Sequence, residues 1–84
     1  MTYKLVPTPK FVNQLKKLDS FTVGRIKAYL EGVVEEPRAK GKGLKANRSG
    51  QWRYRIGDYR AIVNIKDDVL VILALEVGHR RDTY

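Results

Sequence analysis

The second half of the chain switches to a period of two, and this alternation constrains the fold more than any other feature. Residues 52–56 read Trp-Arg-Tyr-Arg-Ile, and residues 59–66 continue the alternation beyond Gly57-Asp58. Such alternation is typical of strands with one buried face, and two turn-forming residues between them predict a hairpin. A third, largely buried strand is predicted by the apolar run at residues 69–77, after a turn at Asp67-Asp68. The pattern therefore predicts a three-stranded antiparallel meander.

The first part of the chain predicts one short strand and two helices. Residues 3–6 alternate as a strand, and Thr8-Pro9 is a helix start because threonine caps and proline suits the first turn. Asp19-Ser20 separates two apolar stripes with helical spacing. The first helix is expected to end near Leu18 and the second at Pro37. The stripes consist of Phe11, Leu15 and Leu18, and of Val23, Ile26, Tyr29, Leu30 and Val33. We therefore predict one α+β domain over residues 1–84, with both helices packed on one face of the sheet.

Composition narrows the classes of function. The 84 residues contain no cysteine and a single histidine, so neither a disulfide framework nor a protein-built metal site is expected. We predict no cofactor and a cytoplasmic location. The longest apolar run is far shorter than the roughly 20 residues that cross a bilayer, so no membrane association is expected. The net charge of +8 instead favours a polyanionic or acidic partner.

A basic, glycine-containing loop at residues 38–50 precedes the meander and carries five positive charges and no negative ones. Two interpretations remain open, a solvated loop and a basic rim that guides a polyanion towards the sheet. The rim residues would include Lys40, Lys42, Lys45 and Arg48.

The hairpin turn fixes which arginines share a face. If Gly57-Asp58 forms a two-residue turn, Arg55 lies opposite Arg60, and Arg53 projects from the same face one pleat along. Like charges directly opposite each other destabilise a sheet, so a purely structural surface would more often alternate signs. Arginine is planar and matched to phosphate, and the three side chains therefore predict an oxyanion clamp.

The chain continues beyond the third strand as Gly78-His79-Arg80-Arg81-Asp82-Thr83-Tyr84. An imidazole, guanidinium groups and a phenol are all groups that bind phosphate or transfer protons. We expect His79, Arg80, Arg81 and Tyr84 to lie beside the arginine face.

Residues 52–60, Trp-Arg-Tyr-Arg-Ile-Gly-Asp-Tyr-Arg, and residues 77–84, Val-Gly-His-Arg-Arg-Asp-Thr-Tyr, closely resemble the RelE toxins of toxin–antitoxin systems. The resemblance extends over essentially the whole chain. It implies a ribosome-dependent endoribonuclease that cleaves mRNA in the ribosomal A site. It also implies a cognate acidic antitoxin, similar to RelB, that neutralises the toxin.

The resemblance assigns roles to individual residues. Arg60 and Arg80 match the family's catalytic arginines, and Tyr84 matches the tyrosine that stacks on or orients a base. Arg53 and Arg55 occupy positions where some members carry lysines, so a lysine base is missing there, and Arg55 is assigned to charge stabilisation. Histidine is the side-chain type present whose ordinary pKa lies nearest neutrality, and we expect His79 either to transfer a proton or to orient a neighbour. No metal is implied, because the 2′-hydroxyl of RNA is the nucleophile.

Three alternatives remain open. One is a ParE-like toxin, which has the same fold but acts on DNA gyrase without cleaving RNA. Another is a non-catalytic module that binds RNA or the ribosome through the basic face. The last is an inactive relative that binds its antitoxin and represses their shared promoter.

Overall fold

The computed structural model of the chain describes residues 2–44 and 50–81. Its elements are strand β1 (Lys4–Pro7), helix α1 (Pro9–Leu15), helix α2 (Ser20–Gly32), and strands β2 (Lys42–Gly43), β3 (Gln51–Ile56), β4 (Tyr59–Lys66) and β5 (Val71–His79). They form a five-stranded sheet in the order β1-β5-β4-β3-β2, in which β1 pairs with β5 in parallel and the other pairs are antiparallel. The predicted α+β fold and meander are confirmed, and β2 is an addition that the sequence pattern did not predict.

Both helices begin at the predicted caps. The Thr8 hydroxyl accepts a hydrogen bond from the Phe11 amide at 3.2 Å, and Pro9 opens α1. The Asp19 carboxylate accepts from the Thr22 amide at 3.0 Å at the start of α2. These contacts satisfy amides that have no partner within the first turn of a helix.

The helices end earlier than predicted. Helix α1 ends at Leu15, and the chain continues through turns rather than as a helix to Leu18. Helix α2 ends at Gly32, and the Val33 amide bonds the Leu30 carbonyl, which tightens the last turn. Pro37 therefore does not terminate α2. It is buried in the following loop instead.

The core lies between the two helices and one face of the sheet. The side chains that form it alternate along the strands as predicted. It contains Phe11, Leu15, Ile26, Leu30, Val33, Tyr54, Ile56, Ala61, Val63, Ile65, Ile72, Ala74 and Val77. Tyr54 is fully buried, and its hydroxyl donates to the Pro37 carbonyl. Burial raises the pKa of Tyr54 to about 12, so the phenol stays protonated at any physiological pH.

The last strand begins two residues later than the apolar run suggested. Residues 67–70 form a turn, in which Leu70 has a φ of 54° and Val69 is 59% exposed. The strand starts at Val71 and lies between β1 and β4. Hydrophobicity alone therefore overextended the strand into the turn.

A cluster of three side chains joins the residue before β1, the basic loop and the β4–β5 turn. Arg38 makes a bidentate contact with Asp67, with both nitrogen–oxygen distances at 2.9 Å. The Tyr3 hydroxyl donates to the same carboxylate at 2.6 Å. These hydrogen bonds hold the pKa of Asp67 down to about 2.

Acidification is expected to remove the contribution of this cluster to stability. The pKa of Asp67 is lower in the folded protein than in the unfolded chain. The stabilisation that the ionised carboxylate gives to the folded state is therefore complete above the ordinary pKa near 4. The stabilisation is lost as the pH falls from about 4 through about 2. The melting temperature of the wild type and of Asp67→Asn, measured from pH 6 to pH 2, should converge at the acid end. A difference that stays constant over this range would contradict the assignment.

Candidate nucleic-acid interface

The hairpin register agrees with the sequence prediction. Ile56 pairs with Tyr59 and Arg55 with Arg60, and Gly57 adopts a φ of 61° in the turn between them. Arg53 pairs with Ile62 and projects from the same face as Arg55, two residues away on the same strand. Directly opposite side chains in such a pair have Cβ atoms only about 5 Å apart, so the Arg55 and Arg60 side chains start side by side.

The short edge strand adds a fourth cation to this face. Lys42 pairs with Arg53 across β2 and β3, so both side chains project from the same side of the sheet. No helix of the described ranges packs on that side. We call the side chains of Lys42, Arg53, Arg55 and Arg60 the cationic face. It is a row of four positive charges across three neighbouring strands.

The described part of the basic loop is fixed to the sheet rather than free in solvent. The Trp52 indole nitrogen donates to the Lys40 carbonyl at 2.6 Å. The Lys40 ammonium lies 5.2 Å from the centre of the Tyr29 ring, on the helix side of the molecule. The structure thus places Lys42 on the cationic face and Lys40 away from it. Lys45 and Arg48 lie outside the described residues.

An apolar side chain lies among the cations. Ile62 projects from the same face as Arg53 and is fully buried, although it belongs to no part of the helix-side core. The Nε atom of Arg60 is buried as well. Water is therefore partly excluded around Arg60, and an anion bound there would interact more strongly than one on an open surface.

A β-bulge in β5 interrupts its pairing with β4. The register between β4 and β5 shifts between Ile62 and Val63, which leaves Leu75 unmatched and pairs Ile62 with Glu76. The Glu76 carboxylate lies 3.4 Å from the Lys10 ammonium of α1. The sequence pattern does not predict this bulge or the contact of Glu76 with α1, because a bulge depends on the partner strand and has no signal in the alternation of one strand.

The structure separates His79 from the cationic face, contrary to the expectation from sequence. His79 pairs with Tyr59, and their rings meet edge to face with centroids 5.5 Å apart. Tyr59 lies on the helix side, whereas Arg60 pairs with Gly78 and points the other way. The sequence does contain a signal for this placement of His79. Val77 is apolar and is therefore expected to face the core, and residues two apart in a strand share a face.

The residues after β5 turn towards the hairpin. The Arg80 amide donates to the Asp58 carbonyl at 2.8 Å, which ties the end of β5 to the β3–β4 turn. Arg80 and Arg81 are both exposed. Tyr84 lies outside the described residues. The structure therefore brings Arg80 next to the tip of the hairpin that carries Arg55 and Arg60.

Taken together, these positions suit an anion with several phosphates. Four cations on one face can contact a polyanion backbone, and the adjacent Arg55 and Arg60 can hold a single phosphoryl group. In residues 2–44 and 50–81 no three carboxylate or imidazole side chains are grouped as a metal site would need. None of the helices in these ranges has the length and apolar character needed to span a bilayer.

A second surface lies on the helix side, between α1, α2 and β1. It is a groove of about 870 Å³, walled mainly by apolar side chains that include Phe11, Val12 and Val23. Lys16 and Lys27 also line it, together with the carboxylate of Glu31. An apolar segment with acidic neighbours would complement such a groove.

Comparison with known families gives one extended match. A family model described as the ParE toxin of the type II toxin–antitoxin system parDE matches residues 5–84. The RelG toxin of Mycobacterium tuberculosis is 35% identical over 52 residues, which span 62% of this chain and 60% of RelG. The matched stretch therefore covers about three fifths of that relative.

Solved structures of toxins have the same fold. A RelBE toxin–antitoxin complex from Mycobacterium tuberculosis superposes with a TM-score of 0.89 at 26% identity, covering 95% of this chain and all of the other. The RelE–RelB complex of Pyrococcus horikoshii superposes with a TM-score of 0.78 at 27% identity, and the match covers 99% of this chain and all of the other. A mutant of E. coli RelE in the free state superposes with a TM-score of 0.84 at 22% identity, and the match covers 99% of this chain and 88% of the other. At this level of identity the match shows similarity of fold alone.

Proposed function

We propose that this chain, which belongs to the ParE toxin family of type II toxin–antitoxin systems within the RelE/ParE superfamily, is an endoribonuclease that cleaves mRNA in the ribosomal A site. The observation that carries the proposal is the pairing of Arg55 with Arg60 on the cationic face. Like charges on directly opposite residues destabilise a sheet, and an anion bound between the two side chains would relieve that repulsion. Cleavage would block translation and so account for toxicity.

The proposed chemistry uses a nucleophile that RNA already contains. The 2′-hydroxyl attacks the adjacent phosphate, the bond to the 5′-oxygen breaks, and the products are a cyclic phosphate and a 5′-hydroxyl end. The protein orients this attack and stabilises the charge on the phosphoryl oxygens. Arg55 and Arg60 would contact those oxygens, while Arg53 and Lys42 would hold the flanking backbone.

The residues after β5 would complete the site. Arg80 lies at the tip of the hairpin through its bond to Asp58, from where its guanidinium would add to the phosphate contacts. Arg81 would bind the RNA backbone. Tyr84, together with Lys45 and Arg48, remains a proposal from the sequence: Tyr84 would stack on a base, and the two cations would extend the rim.

The proposed protein partner is an acidic antitoxin similar to RelB. The structural relatives include complexes of RelE toxins with RelB antitoxins. On this chain, a net charge of +8 attracts an acidic segment, and the apolar groove between the helices offers surface for its apolar side chains.

One observation favours a different target. The matching family model is that of ParE toxins, and a ParE-like toxin would act on DNA gyrase without cleaving RNA. The cationic face alone does not distinguish the two targets, because a row of cations attracts an acidic protein surface as well as an RNA backbone.

Expression of the chain with and without its neighbouring gene separates these functions. Without that gene we expect growth arrest together with new mRNA ends, mapped by primer extension, that appear only within translated codons. Co-expression of the neighbouring gene should restore growth and remove the new ends. Arrest with intact mRNA and inhibited gyrase supercoiling would refute the nuclease and support the ParE-like function.

A further inference from the structure

His79 lies on the opposite side of the sheet from the arginines that are proposed to hold the phosphate. Its ring packs against Tyr59 at 5.5 Å with an interplanar angle of 78°, on the side where Tyr59 contacts the core. Gly78, the residue before it, is the cross-strand partner of Arg60. Successive residues of a strand point to opposite faces, so the imidazole and the Arg60 guanidinium diverge.

The imidazole instead makes a hydrogen bond to the chain that follows it. Its Nδ1 atom accepts from the Arg81 amide at 3.3 Å, two residues along. This arrangement is the histidine counterpart of the turn in which an Asn or Asp oxygen accepts from the second amide after it. Arg80 lies between, and its own amide is bonded to the Asp58 carbonyl at 2.8 Å. Arg80 is therefore held by one hydrogen bond at its own amide and one at the next.

We propose that His79 is a positioning residue, which shapes the turn after β5 and so directs Arg80 towards the phosphate, rather than a group that transfers protons. This inference rests on the proposed nuclease function. Without this hydrogen bond the Arg80 backbone would sample several conformations, and only some of them would direct its guanidinium towards the phosphate. A displacement of about 1 Å in a group that contacts the reacting phosphate can lower a rate about 100-fold.

The surroundings of the ring agree with a packed, structural imidazole. The ring borders a cavity of about 390 Å³ that is also lined by Gln14, Lys17, Leu18, Tyr59 and Glu76. The charged or titratable groups that face this cavity are thus the Lys17 ammonium, the Tyr59 phenol and the Glu76 carboxylate. The Arg81 side chain follows two residues after His79. None of them belongs to the cationic face.

Two substitutions separate positioning from proton transfer. His79→Asn keeps an acceptor for the Arg81 amide but cannot take up a proton near neutral pH. His79→Phe keeps an aromatic ring against Tyr59 but has no acceptor. We expect the asparagine variant to cleave RNA within about threefold of the wild-type rate, and the phenylalanine variant to lose roughly 10- to 100-fold.

The pH profile adds a readout that a general structural defect would not change. Imidazole accepts at Nδ1 only in its neutral form, so the loss of wild-type activity on acidification should include a component from this hydrogen bond. The asparagine variant should lack this component. An asparagine variant as slow as the phenylalanine variant, or a phenylalanine variant with the wild-type rate, would overturn the proposal.

Hydrogen exchange of the Arg81 amide tests the same contact without any activity assay. The amide should be protected in the wild type and in His79→Asn, and exchange faster in His79→Phe. Equal exchange in all three proteins would show that the hydrogen bond does not hold the turn. If the wild type cleaves no RNA, the proposed function fails, while the exchange measurement still decides whether His79 shapes this turn.

Discussion

Replacing Arg60 with alanine is expected to lower the rate of RNA cleavage by roughly 100- to 1,000-fold, the loss typical of one group that stabilises transition-state charge. Arg60 pairs with Arg55 across the hairpin, and its Nε is buried beside the apolar Ile62. A phosphoryl oxygen in this partly dry position would depend strongly on the guanidinium. Arg60→Lys should recover only part of the rate, because lysine keeps the charge but loses the planar pair of donors.

Lys66→Ala is the matched control for Arg60. Lys66 lies on the same strand and the same face, but it is exposed and six residues, about 20 Å, from Arg60. Its removal also costs one positive charge, and it should leave the single-turnover rate on translated mRNA nearly unchanged. A melting curve for each variant checks that the fold persists. Similar cleavage rates for the wild type, Arg60→Ala and Lys66→Ala would show that Arg60 takes no part in the proposed chemistry.

Gly41→Ala is expected to destabilise the protein by about 2–5 kcal/mol, the largest effect on stability that we predict from a single methyl group. Gly41 has a φ of 83°, which disfavours any side chain. A Cβ atom at this position would also lie close to three neighbouring atoms, at 2.7 Å from the Trp52 indole nitrogen and 2.9 Å from Cδ1 of Tyr54, with the Arg53 carbonyl oxygen nearer still. The loop would have to move, breaking the bond between Trp52 and Lys40.

Gly50→Ala separates the clash from the backbone strain. Gly50 has a similar φ of 91°, but a Cβ there would meet no atom of the described residues within 4 Å. The alanine at position 50 should therefore cost only about 1–2 kcal/mol, the strain of a left-handed residue. Both substitutions reduce the entropy of the unfolded chain alike, so this term cancels in the comparison. Urea unfolding of both variants measures the difference, and equal losses would contradict the close packing around Gly41.

The arrangement of the hairpin could be predicted from sequence because it is local. A period of two, a two-residue turn and an apolar face together specify which residues of β3 and β4 oppose each other. The position of Arg55 opposite Arg60 therefore follows from the hairpin alone, and the structure agrees. The caps at Thr8 and Asp19 were predictable for the same reason, since each depends on three or four consecutive residues.

Other features of the structure depend on contacts distant in sequence. The bulge that brings Glu76 opposite Ile62 exists only because two strands pair. The cluster of Tyr3, Arg38 and Asp67 joins residues up to 64 positions apart. No periodicity within one segment reports such contacts, and the position of Lys40 on the Tyr29 ring was hidden for the same reason.

The sequence by itself thus determined the fold class, the meander and the three arginines of one face, because residue alternation and turn chemistry act within a few residues. Tertiary structure decided that β1 lies parallel to β5, that Lys42 joins those arginines, and that His79 faces the helices. These outcomes depend on which strand edges meet and how the strands are aligned. That choice is made by the free energy of burying the whole core, to which every element contributes.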